Sequence, residues 1–295
     1  MPPSTQKANI LLLGAGGVGT IAALNIESGG LGTVTAVLRS NYTVVTEKGY
    51  TIDSVDHGKL TGWRPSRVVN TVPDVSKGGL QPYEYIITTT KNCPDIGPPL
   101  PSLIAPAVTP GYTVIVMVQN GLNIEKTMFE AFPSNIVLSG VSMIDSFESP
   151  LGTIIQESPD RLYLGAFANP TFTEDKRQAE IDAAKQFITI YGASGQPDII
   201  YEENVPWSRW RKLVYNGVLN PLCAISGMDS SRIRLANGGS AVEGLVRPAM
   251  GEVVAVAKAL GHDLPGDIVE SMLELDPLDL YLKPSMLGDW EKVCS

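Results

Sequence analysis

The chain has 295 residues, of which 43% are hydrophobic and 18% are charged. This composition excludes a disordered chain, and the length suggests two domains of ordinary size. Acidic residues outnumber basic ones by 31 to 22, and the net charge of −9 argues against a nucleic-acid-binding surface.

The first apolar run, the cysteines and the histidines indicate the cellular compartment of the protein and whether it binds a metal. The apolar run at residues 10–13 is too short for a signal peptide or a membrane-spanning helix. Cys93, Cys223 and Cys294 are too widely spaced for a disulfide framework, and two histidines are too few for a histidine-rich metal centre. We therefore expect a soluble, cytoplasmic protein without a bound metal.

The most specific pattern lies in the first forty residues. An apolar strand over 8–13 runs into the sequence GAGGVG, and a helix over 20–28 and a second strand over 34–38 follow. Strand, glycine turn, helix and strand in this order are typical of a dinucleotide-binding unit, and the alternative is a plain glycine-rich turn. The predicted cofactor-binding residues of this motif are Gly14, Ala15, Gly16, Gly17, Val18 and Gly19.

The glycines of the motif have different expected roles. Gly14 allows a tight turn, Gly16 lets backbone N–H groups approach a pyrophosphate, and Gly19 lets the helix pack close to the strand. The N-terminus of the helix then faces the phosphate charge.

The residues after the second strand indicate which dinucleotide binds. A site for NAD usually has Asp or Glu here, whereas this chain has Arg39 and Ser40. Arg39 can pair with a 2′-phosphate and Ser40 can donate a hydrogen bond to it. We therefore predict NADP(H), the alternative being that Arg39 is a solvated charge at a strand end.

Two further strands, predicted over 83–90 and 113–118, end near polar side chains that can reach a ligand. Lys91 and Asn120 follow these strands, and ligands of open α/β sheets bind beyond the carboxyl ends of the strands. Either residue can instead close a surface turn. Residues 153–155 and 162–165 are predicted to form a hairpin that extends the sheet.

A polar stripe follows on a helix predicted over 207–220. Lys212, Asn216 and Asn220 are four residues apart, so they share one face among apolar neighbours. The stripe indicates a ligand, and a satisfied polar core or an exposed face is the alternative. A lysine in an apolar cleft can have a lowered pKa, so Lys212 is the best candidate for a general acid.

The chain resembles the ketopantoate reductase (2-dehydropantoate 2-reductase) family. The matching segments occur in the same order as in the family, from residue 9 to residue 289. The segments that carry the resemblance are GAGGVG at 14–19, LRS at 38–40, TTTKN at 88–92, QNGLN at 119–123, WRKLVYNGVLNPLCAI at 210–225 and KPSMLGD at 283–289. The family reduces the ketone of a 2-oxo acid with NADPH in pantothenate biosynthesis. By this resemblance Lys212 protonates the carbonyl oxygen, Asn216 and Asn220 orient the substrate, and Ser285 binds its carboxylate.

The resemblance also implies a fold. It is an α/β Rossmann-type doubly wound sheet over 1–203, followed by a smaller all-helical domain over 204–295 with the active site in the cleft between them. In this arrangement Asn120 places the cofactor and the ketone, and Lys91 supports the cofactor.

The sequence departs from the family pattern near its C-terminus. The family's Glu, about a dozen residues beyond the SM dipeptide, falls past Ser295, so the helical domain is expected to be shortened. Three alternatives follow: another 2-oxo acid or bulkier ketone, a partner subunit that completes the site, or an NADP(H)-binding protein that reduces nothing and serves as a biosynthetic enzyme of another class or as a sensor. Apolar residues that could cover the shortened end or form a homodimer contact are Leu273, Leu275, Leu278 and Leu280.

Overall fold

The computed structural model describes residues 7–294, with side chains up to residue 292. The chain divides into two compact units, Met1–Val205 and Pro206–Ser295. Among the described residues, no helix combines the length and the apolar character needed to cross a membrane. Cys93 is exposed and Cys223 is buried, while the side chain of Cys294 lies outside the described set.

The first unit is a mixed α/β structure. Its strands are β1 (Ala8–Leu13), β2 (Gly32–Val37), β3 (Tyr50–Ser54), β4 (Gly58–Trp63), β5 (Arg67–Val69), β6 (Tyr85–Thr88), β7 (Val114–Met117), β8 (Val137–Ser142), β9 (Ser146–Glu148), β10 (Thr153–Gln156), β11 (Arg161–Ala166) and β12 (Asp198–Tyr201). Its helices are α1 (Gly17–Gly29), α2 (Tyr42–Lys48), α3 (Leu100–Ile104), α4 (Lys126–Ala131) and α5 (Glu174–Tyr191).

The main sheet has eight strands in the order β12-β11-β8-β7-β6-β1-β2-β5. β1 pairs in parallel with both β2 and β6, so the chain changes direction across the sheet at β1. Alternate side chains of β1 enter two different cores, Ile10 and Leu12 on one face and Leu11 and Leu13 on the other. The Rossmann-type fold expected from the sequence is therefore present, with β1 at the switch point where ligands bind.

A second sheet of four strands, in the order β4-β3-β10-β9, corrects the predicted hairpin. β10 pairs with β3 and β9 in this small sheet, whereas β11 lies antiparallel to β8 in the main sheet. The prediction was wrong because alternating side chains identify a strand but not its partner. The Ser54 hydroxyl donates to Gln156 Oε1 at 2.6 Å, a contact across β3 and β10 that spacing along the chain cannot show.

The second unit is helical. Its helices are α6 (Val205–Asn216, which starts at the last residue of the first unit), α7 (Leu219–Ser226), α8 (Ser230–Leu235), α9 (Arg247–Ala259), α10 (Ile268–Leu273) and α11 (Ser285–Cys294). Val214, Leu219, Cys223 and Leu287 lie in its buried core, and α11 packs against α7. All-helical structure in this part of the chain agrees with the sequence-based fold class.

The helix predicted over 207–220 is interrupted, which corrects the sequence analysis. α6 ends at Asn216 and α7 begins at Leu219. Pro221 has no N–H to donate to the carbonyl of Gly217, and a proline ring crowds the carbonyl four residues before it. Lys212 and Asn216 therefore share α6, whereas Asn220 lies on α7.

Candidate active site

The glycine turn between β1 and α1 has the backbone geometry that only glycine allows. Gly14 has φ +100°, and a Cβ there would lie 2.6 Å from the backbone nitrogen of Thr90. A Cβ at Gly19 would overlap the carbonyl of Gly14, and one at Gly17 would overlap the backbone of Ser146. The roles predicted for Gly14 and Gly19 agree with these close approaches.

Gly16 differs from the other glycines of the turn, because a Cβ there would meet no atom of the chain within 4 Å. It precedes α1, which has neither a side-chain cap nor an acidic residue in its first turn. The first N–H groups of a helix have no acceptor within the helix and favour an anion. Open space in front of this helix end fits a dinucleotide pyrophosphate.

The end of β6 holds the glycine turn from one side. The Thr89 hydroxyl donates to the carbonyl of Gly14, and the Thr89 N–H donates to the Leu13 carbonyl at 2.9 Å. Gln119, after β7, donates from Nε2 to both the carbonyl and the hydroxyl of Thr90 at 2.8 Å. These contacts join the carboxyl ends of three neighbouring strands into one surface.

The carbonyl of Ala15 accepts hydrogen bonds from three side chains. Asn41 Nδ2 and the Tyr50 hydroxyl each lie 2.9 Å from it, and the Thr20 hydroxyl lies 3.2 Å away. Asn41 and Tyr50 are residues that the sequence analysis did not single out. No local signal marks them, because Tyr50 reaches the turn from the second sheet.

Arg39 and Ser40 both lie exposed just after β2. Arg39 forms no ion pair with any residue that the structure describes. Its guanidinium is thus available to an anionic group beside the glycine turn.

Lys91 and Asn120 are exposed beyond the ends of β6 and β7. Since β6 lies between β1 and β7, both residues belong to the edge of the sheet that carries the glycine turn. The predicted site residues of the first unit therefore all follow the carboxyl ends of neighbouring strands of the main sheet.

Lys212 lies half-buried on α6 of the second unit. Burial, and then the charge of Arg209, lower the pKa of its ammonium group to about 8. Arg209 is itself buried, one helical turn earlier. A lysine with this pKa can release its proton near neutral pH.

Asn216, Asn220 and Ser285 accompany Lys212 in the second unit. Within the described part of the chain, neither asparagine side chain has a hydrogen-bond partner, although Asn220 is only 7% exposed. Both side chains therefore have unused donors and acceptors that suit a polar ligand. Ser285 is exposed at the start of α11.

Acidic, histidine and cysteine side chains in the described residues form no group of three that could hold a metal ion. The candidate residues supply an ammonium, amides, hydroxyls and backbone N–H groups.

Comparison with known families gives matches over both units. Residues 10–169 match the family described as ketopantoate reductase PanE/ApbA, and residues 204–293 match its C-terminal domain. The chain belongs to the ketopantoate reductase family. The resemblance stated from its motifs is thereby confirmed.

Several relatives of this family member are similar over most of their length. A solved 2-dehydropantoate 2-reductase from Methylococcus capsulatus is 32% identical, with TM-score 0.74 and coverage of 97% of this chain and 84% of that one. A second, from Geobacter metallireducens, is 25% identical, with TM-score 0.78 and coverage of 97% and 87%. The uncharacterized Saccharomyces cerevisiae protein YDL144C is 35% identical, covering 97% of this chain and 83% of its own.

A solved D-mandelate dehydrogenase with NADH and anilino(oxo)acetate shares the fold of this family member. It has TM-score 0.78 and 18% identity, and the match covers 96% of this chain and 85% of that one. At this identity the likeness concerns the fold alone.

Proposed function

We propose that the protein reduces a 2-oxo acid, similar to ketopantoate, to the 2-hydroxy acid with NADPH as the hydride donor. The observation that carries this proposal is the half-buried Lys212, whose pKa is lowered to about 8, on the same helix as the unpartnered Asn216. Membership of the ketopantoate reductase family supports it.

In this proposal Lys212 is the general acid. When bound, the nicotinamide supplies the hydride to the ketone carbon. The ketone oxygen gains negative charge as the hydride arrives, so a positioned ammonium stabilises the transition state more than the ground state. Lys212 then donates its proton to that oxygen.

Amides and a hydroxyl orient the substrate in this proposal. Asn216 and Asn220 have free donors and acceptors that suit the hydroxyl and carboxylate ends of a 2-oxo acid. Ser285 binds the carboxylate, Asn120 places cofactor and ketone, and Lys91 supports the cofactor.

NADP(H) rather than NAD(H) is the cofactor that we propose. The exposed Arg39 has no ion-pair partner among the described residues, and Ser40 lies beside it. A guanidinium pairs with a phosphate through two parallel hydrogen bonds, which favours a 2′-phosphate over a hydroxyl.

A turnover assay tests the proposed reaction. The protein is mixed with NADPH and a panel of 2-oxo acids that differ in size, and the absorbance of the reduced nicotinamide is followed. We expect oxidation with at least one 2-oxo acid. Lys212→Ala should lower kcat by at least about 100-fold with little change in the Kd of NADPH. Binding of NADPH without turnover of any ketone would contradict the reductase and support the non-reducing alternative.

We also propose that the second unit forms a homodimer contact. Leu275, Leu278 and Leu280 are 44%, 41% and 60% exposed and lie within six residues of one another. Leu273, predicted with them, is buried at 7% exposure in the core of the unit, so it does not belong to this surface. Clustered exposed leucines favour a protein contact.

A further inference from the structure

Asn41 occupies a position where asparagine usually caps a helix, but it does not cap α2. Its Nδ2 donates instead to the Ala15 carbonyl and to Glu148 Oε1, each at 2.9 Å. The residue is 5% exposed. Its Nδ2 also lies 3.2 Å from the Tyr50 hydroxyl, so the side chain has given up a cap for three contacts outside its own helix.

Glu148 determines which way the Asn41 amide faces. A carboxylate only accepts hydrogen bonds, so the NH₂ group and not the oxygen of Asn41 must point at it. Glu148 Oε1 is itself held by the Gly152 N–H at 2.8 Å. Because both N–H groups of Asn41 are engaged, the amide cannot rotate without breaking both hydrogen bonds.

This one amide joins two segments of the candidate cofactor site. Ala15 belongs to the glycine turn, whereas Arg39 and Ser40 directly precede Asn41 along the chain. Consecutive Cα atoms are about 3.8 Å apart, so a fixed Asn41 restricts Ser40 strongly and Arg39 somewhat less.

We propose that Asn41, oriented by Glu148, is a positioning residue that fixes Arg39 and Ser40 relative to the glycine turn, and so determines how well the site distinguishes a 2′-phosphate from a 2′-hydroxyl. The inference rests on the proposed function, in which a dinucleotide lies across that turn. Asn41 acts through its neighbours and through the Ala15 carbonyl.

Binding of two nucleotide fragments tests this role. 2′-Phosphoadenosine 5′-diphosphate and ADP differ only in the 2′-phosphate, and isothermal titration calorimetry gives the Kd of each without any turnover. In Asn41→Ala we expect the Kd of the 2′-phosphate fragment to rise about tenfold and that of ADP to rise less than about threefold. An equal rise for both fragments means that Asn41 only supports the turn, and it overturns the proposal.

Exchanging the donor and the acceptor of the Asn41–Glu148 hydrogen bond gives a second measurement. Asn41→Asp places a carboxylate against Glu148 and the Ala15 carbonyl, so discrimination between the fragments should fall. Adding Glu148→Gln returns a donor to the pair, and we expect discrimination to recover by at least about threefold relative to Asn41→Asp alone. No recovery in the double variant contradicts the orienting role of Glu148.

Two controls separate the causes of a negative result. Asp53→Asn removes an exposed carboxylate from the same small sheet, and it should leave both Kd values and the melting temperature unchanged. If the wild-type protein binds NADPH but Asn41→Ala weakens both fragments equally, only this inference fails. If the wild-type protein binds neither NADPH nor the fragments, the proposed function fails and the inference falls with it.

Discussion

Arg209 and Lys212 lie one turn apart on α6, and the guanidinium adds to the effect of burial in lowering the pKa of Lys212. Two cations so close disfavour each other's charged form, which makes the ammonium easier to deprotonate. A buried arginine stays charged at any pH that a protein tolerates, so the lysine is the group that titrates.

The activity of the reductase should fall on the alkaline side. Lys212 must be protonated to act as a general acid, and its pKa is about 8. We expect kcat/KM for ketone reduction to be flat below this pH and to decline about tenfold per pH unit well above it. Arg209→Gln should move the alkaline limb to higher pH. An unchanged limb in that variant would mean that another group sets it.

The glycine turn offers a matched pair of substitutions. Gly16→Ala adds a methyl group in open space, whereas Gly17→Ala drives one into the backbone of Ser146. We expect Gly16→Ala to keep the melting temperature and to raise the Kd of NADPH at least about tenfold, because the methyl group would enter the space proposed for the pyrophosphate. Gly17→Ala should cost more than about 3 kcal/mol of unfolding free energy.

Calorimetry and nucleotide titration check this pair. A normal Kd in a stable Gly16→Ala variant would show that no dinucleotide lies across the turn.

Arg39 should decide between the two nicotinamide dinucleotides. Arg39→Ala removes the exposed guanidinium, so we expect the Kd of NADPH to rise about 10–100-fold while that of NADH stays within about threefold. Quenching of tryptophan fluorescence measures both constants. A similar loss for the two dinucleotides would place Arg39 outside the 2′-phosphate site. Lys48→Ala, on the neighbouring α2, is a control for the loss of one cation.

A buried carboxyl in the first unit makes stability depend on pH. Asp160 Oδ2 accepts from the Tyr191 hydroxyl at 2.6 Å and from Asn25 Nδ2 at 2.8 Å, and the Asn25 oxygen contacts the ring of His57. The pKa of Asp160 is raised to about 6: burial is the main cause and the charge of Asp56 adds to it, while the hydrogen bonds from Tyr191 and Asn25 oppose the rise.

Since the folded state binds this proton more tightly than the unfolded state, the contribution of Asp160 to the unfolding free energy falls as pH rises from about 4 to about 6. Asp160→Asn removes that fall. We therefore compare the unfolding free energy of the variant with that of the wild type at pH 4 and at pH 7. Relative to the wild type, the variant should gain about 2–3 kcal/mol as the pH rises from 4 to 7. Urea unfolding at the two pH values measures it. A constant difference would contradict the raised pKa.

A charge placed in the cluster of exposed leucines tests the proposed dimer. Leu280→Lys should convert a dimer to a monomer in sedimentation velocity, because a lysine is costly to bury in an apolar contact. Leu260→Lys is the control: it alters a similarly exposed leucine that directly follows α9 and lies outside the cluster, and it should leave the mass unchanged. A monomeric wild-type protein at micromolar concentration would refute the contact.

Much of the architecture follows from local patterns in the chain. The glycine turn is recognisable because Gly14 and Gly19 permit backbone approaches that other residues forbid, and the strand before it because apolar side chains fill both faces. The Lys212 and Asn216 pair is recognisable because four residues make about one helical turn. Each of these signals lies within a few positions of the chain.

Tertiary structure alone decided the contacts that hold the site in place. Strand pairing places Tyr50 and Glu148, from a separate sheet, beside Ala15 and Asn41, although Asn41 and Glu148 are 107 positions apart. It also placed β10 in a different sheet from β11. The physical reason is that a hydrogen bond depends on a few ångströms of distance, and only the folded sheets set that distance for residues remote in sequence.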